Sequence, residues 1–268
     1  MEVKLSKDTM KNIFSEILKR IVPKNPEQLF GLFPYGSLNY GLFDSTSDID
    51  FIAPMIPSIY EIASCDKPLY TCSHTIEGIP VTIKIVDFRD FCRWKNKLQL
   101  MEYISVEEGY YYVNETYKPL WDNVRNHRED LIYSNCVRIL EAGIGMMCNK
   151  VNHTLSTNTN GHYRIYHTYR LQAMVERYYN QGVLEFNCNK LFGECYEQLV
   201  NIKNNGVVEE ELEILEKRVE FTKQEIEKFI SRLSILGFKK CYNDLLDNLC
   251  IEVLKENFEK NSKKRWMV

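Results

Sequence analysis

Tyr35-Gly36-Ser37-Leu38-Asn39-Tyr40-Gly41, followed closely by Ser47-Asp48-Ile49-Asp50-Phe51, decides how this chain is read. Along a strand, residues i and i+2 point to one face, so Asp48 and Asp50 set two carboxylates side by side, about 6 to 7 Å apart. Two such charges repel unless a cation lies between them. A magnesium ion meets that need, because it takes oxygen ligands and shares them with phosphate. Gly36 permits a tight turn and a close ligand approach. Ser37 offers a hydroxyl and an N–H, and a helix starting there aims several unpaired N–H groups at one anion. Gly41 keeps the loop open. Taken singly, each feature has a plainer reading: an acidic outward face on a surface strand, or a glycine turn with an N-capping serine.

Outward from this stretch, apolar residues Met10, Ile13, Phe14, Ile17, Leu18 and Ile21 form one helical stripe from Ser6 to Val22, stopped by Pro23 and Pro26. Leu29 to Phe33 and Asp48 to Ala53 read as strands. Leu69 to Ile76 and Val81 to Val86 read as two more, joined as a hairpin through Glu77-Gly78-Ile79-Pro80. A helix is expected over Phe88 to Leu98. Beyond Glu115 the pattern is helical: Tyr117 to His127, Asp130 to Val151, Tyr163 to Gln181, Asn189 to Asn204, Val208 to Leu233 and Tyr242 to Phe258, with a Ser/Thr/Asn loop over Asn152 to Gly161. Val208, Leu212, Leu215, Val219, Ile226, Phe229 and Leu233 make a seam that packs within the chain. The expectation is an α+β fold: a mixed β-sheet with flanking helices over residues 1–125, then a C-terminal helical bundle over 126–268.

The 268 residues are 44% hydrophobic and 26% charged, with a formal net charge of −3. That composition is ordinary for a globular chain and gives no global basic field for nucleic acid. No run approaches the roughly 18 apolar residues of a membrane span, and the N-terminus reads as an amphipathic helix rather than a signal peptide. The nine cysteines lack C-x-x-C or zinc spacing, and read as reduced thiols of a cytoplasmic protein (host cytoplasm if phage-encoded).

The combination of Gly36-Ser37 with Asp48-Ile49-Asp50 resembles the signature of the DNA polymerase β-type nucleotidyltransferases. That resemblance implies a nucleotidyltransferase-like N-terminal domain. The turn, Gly36, Ser37, Tyr40 and Gly41, would hold the β/γ-phosphates of a nucleoside triphosphate, and Asp48 and Asp50 would hold two magnesium ions, or manganese in their place. The superfamily carries a third acid on a later strand. Asp87 is the first candidate for that metal-binding, catalytic role and reads equally as the N-cap of the next helix; Glu102 is the second. Within the superfamily the chain is similar to a bacterial and phage branch of predicted nucleotidyltransferases, linked in part with RNA repair. The residues are Gly36-Ser37-Leu38-Asn39-Tyr40-Gly41, Ser47-Asp48-Ile49-Asp50, Asp87-Phe88-Arg89-Asp90-Phe91, Leu100-Met101-Glu102 and Arg164-Ile165-Tyr166-His167-Thr168-Tyr169-Arg170.

Steps of three place Arg164, His167 and Arg170 near one helix face, a cationic wall suited to phosphate. Lys84 and Arg89 are further phosphate partners. The function expected is metal-dependent transfer of a nucleoside monophosphate from an NTP to an acceptor hydroxyl. The resemblance points to an RNA 3′ end. The acidic net charge favours a protein or small-molecule acceptor. A nucleotide-binding module with a degenerate site is the alternative from another class.

Overall fold

The protein is seen here in a computed structural model that describes residues 5–20, 26–93, 97–156, 161–207, 209–235 and 245–265. Of the first stripe, α1 (Lys7–Arg20) buries Met10, Ile13, Phe14 and Ile17 and half-buries Leu18; Ile21 and Val22 lie outside the described residues. The buried four lie against Leu32, Ile49, Phe51, Ala53, Val81, Ile83 and Ile85, one face of a five-stranded sheet. Its strands are β1 (Gly31–Tyr35), β2 (Ile49–Met55), β3 (Tyr70–Ile76), β4 (Ile79–Asp87) and β5 (Tyr112–Val113). Their order is β3-β4-β2-β1-β5; β2 and β4 run parallel and the other neighbours antiparallel, so the sheet is mixed. The hairpin between β3 and β4 closes through Glu77 and Gly78, both at positive φ (52° and 80°), the twist that two-residue hairpin turns require.

Strand alternation decides where the acids point. Ile49, Phe51 and Ala53 face α1, so Asp50 and Ile52 face the other side, where Ile52 joins the larger core. That core is built around aromatics. Phe33 lies 4.8 Å from Trp121 and Phe30 4.5 Å from Phe88, ring centre to ring centre. It takes in α3 (Phe88–Cys92), α4 (Lys97–Ile104), α5 (Lys118–Asn126), α6 (Arg128–Ser134) and α7 (Cys136–Ser156). It continues through α8 (Gly161–Gln181), α11 (Glu209–Ile235) and α12 (Leu245–Arg265) without a break at residue 125. The remaining helices are α2 (Ile59–Ala63), α9 (Cys188–Phe192) and α10 (Tyr196–Asn205). The α11 seam packs inside the chain as expected, with Leu215, Val219 and Ile226 buried; Val208 lies outside the described residues.

The departures are local. The helix expected over Phe88 to Leu98 is two, α3 and α4. The helix expected over Asp130 to Val151 breaks at Asn135, whose side-chain amide donates to the Leu131 carbonyl at 2.9 Å. The helix expected over Asn189 to Asn204 breaks at Gly193, which takes φ +52°. Of the loop expected over Asn152 to Gly161, Asn152 to Ser156 belong to α7 and Gly161 to α8, and residues 157–160 lie outside the described residues. Among the described residues, no helix is long and apolar enough to cross a membrane.

Candidate active site around Gly36 and Asp50

β1 delivers the chain to the turn and β2 carries it away, with Tyr35 opposite Asp50 in the register. Gly36 and Gly41 both occupy the left-handed region, at φ +79° and +67°. A side chain at Gly36 would also stand 3.2 Å from Asp50 Oδ2, so glycine is what lets the turn press against the acid. The helix expected to start at Ser37 does not form. The segment closes instead as a turn, with the Tyr40 N–H donating to the Gly36 carbonyl (3.2 Å) and the Leu42 N–H to the Ser37 carbonyl (2.9 Å). The left-handed glycines and the Asn39 amide, which reaches back to the Pro34 carbonyl at 2.6 Å, hold the chain in that tighter path. Ser37 is half-buried within it.

Asp50 is half-buried on β2 and Asp48 is exposed just ahead of that strand. Among the described residues, neither carboxylate has an ion-pair partner. Burial first, and the Asp48 charge second, push the Asp50 carboxyl up to about 6. Tyr35 reports the same field: burial, then Asp50, Asp48 and Glu102, push its hydroxyl up to about 12. Two adjacent oxygen donors lacking a counter-charge fit a hard divalent cation. The set is small, however: no group of three or more His, Cys, Asp or Glu among the described residues is gathered so as to hold a metal.

Neither candidate third acid joins the pair. Asp87 ends β4 opposite Met55, whereas Asp50 is opposite Thr82. Five residues of strand, roughly 16 Å, separate the two positions. Asp87 is 1% exposed, caps α3 through the Arg89 N–H (2.8 Å) and grips the Arg89 guanidinium at 2.7 and 2.9 Å. It therefore has the N-cap role, and Arg89 is not available to phosphate. The place beside Asp50 belongs to Thr82, whose hydroxyl lies 3.2 Å from that of Ser73. Lys84 stands one step further along the same face, opposite Ile52.

Glu102 lies under the turn. It is 7% exposed on α4 and accepts from the Tyr40 hydroxyl (3.1 Å), the Asn39 amide (3.5 Å) and the Gly36 N–H. Burial raises its carboxyl against the lowering effects of Arg170 and these donors. Above it, the Arg170 guanidinium stacks on the Tyr40 ring at 3.4 Å. Arg170 is 3% exposed and its Nε has no hydrogen-bond partner. His167 meets the same tyrosine edge-on (6.3 Å) and stacks on Tyr166 (4.1 Å). Burial, then Arg170, Lys150 and Lys203, push its imidazole down to about 2, so it is neutral at physiological pH. The expected cationic wall is thus not an open face: one member is packed behind the loop and another carries no charge. Arg164 falls within α8, with its side chain outside the described residues.

Other ties to the helical half had no sequence signal, because the partners lie more than 140 residues away. The Tyr196 hydroxyl donates to the Gly41 carbonyl (2.5 Å), and the Cys188 N–H to the Tyr40 carbonyl (2.8 Å). Lys203 bonds the Leu42 carbonyl (2.8 Å) and the Asp44 carboxylate (2.6 Å). Burial raises the Asp44 carboxyl, but hydrogen bonds from Lys203, Thr46 and Ser47 outweigh it and hold the group well below the usual carboxylate range. Residues 36–44 are therefore clamped by α4, α8, α9 and α10. A cleft of about 1000 Å³ opens beside this loop, lined by Asn39, Gly41, Glu102, Arg125, Arg128 and Asn187 among others; Asp48 and Asp50 are not part of its wall.

No family model matches the sequence, and no curated protein matches it. Among solved structures, the chain is similar to the nucleotidyltransferase-like protein from Exiguobacterium sibiricum 255-15. The match has 11% identity and a TM-score of 0.35, over 96% of this chain and 91% of that one. A score that low leaves any functional reading to rest on the residues of this chain.

Proposed function

We propose that the protein is a metal-dependent nucleotidyltransferase that moves a nucleoside monophosphate from an NTP to an acceptor hydroxyl. One observation carries this reading: Asp48 and Asp50 stand uncompensated beside a glycine turn pressed against Asp50. Asp48 and Asp50 would hold the divalent cations, magnesium or manganese. When bound, such ions neutralise phosphate charge and lower the pKa of an acceptor hydroxyl. The chain supplies the rest. Within the turn, the N–H groups of Ser37, Leu38 and Asn39 and the Ser37 hydroxyl would meet the β/γ-phosphates, the Gly36, Tyr40 and Gly41 N–H groups being used to close the turn. Tyr40, Glu102 and Arg170 fix that turn from behind. Thr82 and Ser73 extend a neutral hydroxyl surface from the acids across the sheet. The work is positioning and charge neutralisation, as in other phosphoryl transfers.

Thr82 in the place beside Asp50 favours a second reading, a nucleotide-binding module that does not turn over. For the acceptor we favour an RNA 3′ end, with a protein or small-molecule hydroxyl as the alternative given the net charge of −3. A cytoplasmic setting and kinship with the RNA-repair branch belong to this proposal. The test is pyrophosphate release from each NTP with magnesium, offered RNA, protein or no acceptor. Release that disappears in Asp48→Asn/Asp50→Asn supports transfer. NTP binding without release supports the module, and neither binding nor release removes both readings.

A further inference from the structure

The sheet order leaves β3 with a single neighbour, β4. From Pro68 to Ile76 the sequence has no charged residue. Tyr70, Thr71, Ser73, His74 and Thr75 are exposed, and residues 68–76 make no backbone hydrogen bond outside the hairpin among the described residues. An antiparallel edge strand turns alternate N–H and C=O groups away from its partner. Proteins ordinarily blunt such an edge with lysine, an internal proline, a bulge or a cover. Among the described residues, β3 has none of these: its register runs unbroken from Tyr70 opposite Ile85 to Ile76 opposite Ile79. The adjacent Lys67 is turned to Asp90 at 2.7 Å, and Leu69 beside the strand is 71% exposed.

The sequence of the edge is also complementary to itself. Thr71-Cys72-Ser73-His74-Thr75 is nearly symmetric about Ser73. Laid antiparallel on itself about that residue, Thr71 meets Thr75 of the other strand, Ser73 meets Ser73, Cys72 meets His74 and Tyr70 meets Ile76. No like charges are opposed, and Thr–Thr pairs on one face are among the favourable cross-strand pairs. We propose that β3 pairs antiparallel with β3 of a second copy of the chain, about a two-fold axis through Ser73, making one ten-stranded sheet. The axis is perpendicular to the sheet, so both copies present Asp50 on the same face. Asp50, Thr82 and Ser73 lie across from one another in successive strands. Five strand spacings then separate the two Asp50 residues, about 24 Å.

The test is the mass of the intact chain in solution by light scattering over a dilution series. The expected mass at high concentration is twice the 31.7 kDa of the chain. Thr71→Lys with Thr75→Lys sets lysine against lysine twice across the axis and should weaken association at least about tenfold; because Thr71 also lies opposite Lys84 within the chain, a small fall in the melting temperature of the monomer accompanies it. Thr71→Lys with Thr75→Glu opposes unlike charges and should restore the dimer. If the double-lysine variant does not fold, amide exchange of the wild type decides: protection along β3 should fall on dilution. A wild type that is monomeric up to about 100 μM, a weak affinity by the scale of specific complexes, overturns the proposal whatever else binds the edge. So does a double-lysine variant that remains dimeric.

Discussion

Replacing Arg170 by Met probes how the candidate site is held. Arg170 and Glu102 are 3% and 7% exposed, and Tyr40 lies between their charges, its ring under the guanidinium at 3.4 Å and its hydroxyl on Glu102 at 3.1 Å. Methionine fills much of the arginine volume but leaves Glu102 buried without its counter-charge. Losing one partner of a buried pair costs about 3–5 kcal/mol, and a desolvated cation–π contact contributes about 2 kcal/mol. Because these overlap, and methionine packs favourably, the expected loss is about 4 kcal/mol, or roughly 10 °C in melting temperature. Urea unfolding of Arg170→Met, Glu102→Gln and the double variant measures it. Glutamine keeps an acceptor for the Tyr40 hydroxyl and the Gly36 N–H while removing the charge. The double variant is therefore expected to be more stable than the sum of the singles by about 2 kcal/mol. An Arg170→Met protein within about 0.5 kcal/mol of wild type, or strictly additive losses, would refute the buried network.

Three further outcomes are expected. Asp50→Asn removes a carboxyl pushed up to about 6, so its effect depends on pH. A raised folded-state value means that stability present below about pH 4 is lost as pH rises through about 6. The metal-free variant should thus be stabilised near pH 8 by about 1 kcal/mol, after discounting for the partial exposure of the group, and unchanged near pH 4; thermal melts across that range check it. Gly36→Ala forces a side chain into a φ of +79° and toward Asp50, costing about 1–2 kcal/mol and weakening magnesium–nucleotide binding, as calorimetry would show. Asp87→Ala should lose about 3 kcal/mol of stability, through its cap and its Arg89 partner, while binding magnesium–nucleotide like wild type at a temperature where it is folded. Loss of that binding in folded Asp87→Ala would return Asp87 to the metal site.

Much of the fold was legible because periodicity and packing agree. The α1 stripe, the alternation of Ile49, Phe51 and Ala53, and the Leu215, Val219 and Ile226 seam each bury the residues that their spacing selects. The strand β5 escaped because two residues, Tyr112 and Val113, are too few to show a period. Helix breaks at Asn135 and Gly193 escaped because one side-chain hydrogen bond and one left-handed residue override an otherwise helical pattern. At the candidate site, local spacing anticipated the approach of Gly36 to Asp50 and of Asp48 to Asp50, although Asp48 lies just ahead of β2 rather than on it. The roles of Glu102, His167 and Arg170 were not legible. Helical spacing places them on a face without saying whether that face meets solvent or the back of a loop. Lys203 and Tyr196 reach the loop only through the tertiary fold.

The most direct measurement is a crystal structure of the protein with a non-hydrolysable NTP and magnesium. Metal density between Asp48 and Asp50, with the β/γ-phosphates on the N–H groups of Ser37, Leu38 and Asn39, is the expected result. Nucleotide bound elsewhere, for instance in the cleft lined by Arg125 and Arg128, with no metal on the aspartates, would contradict it.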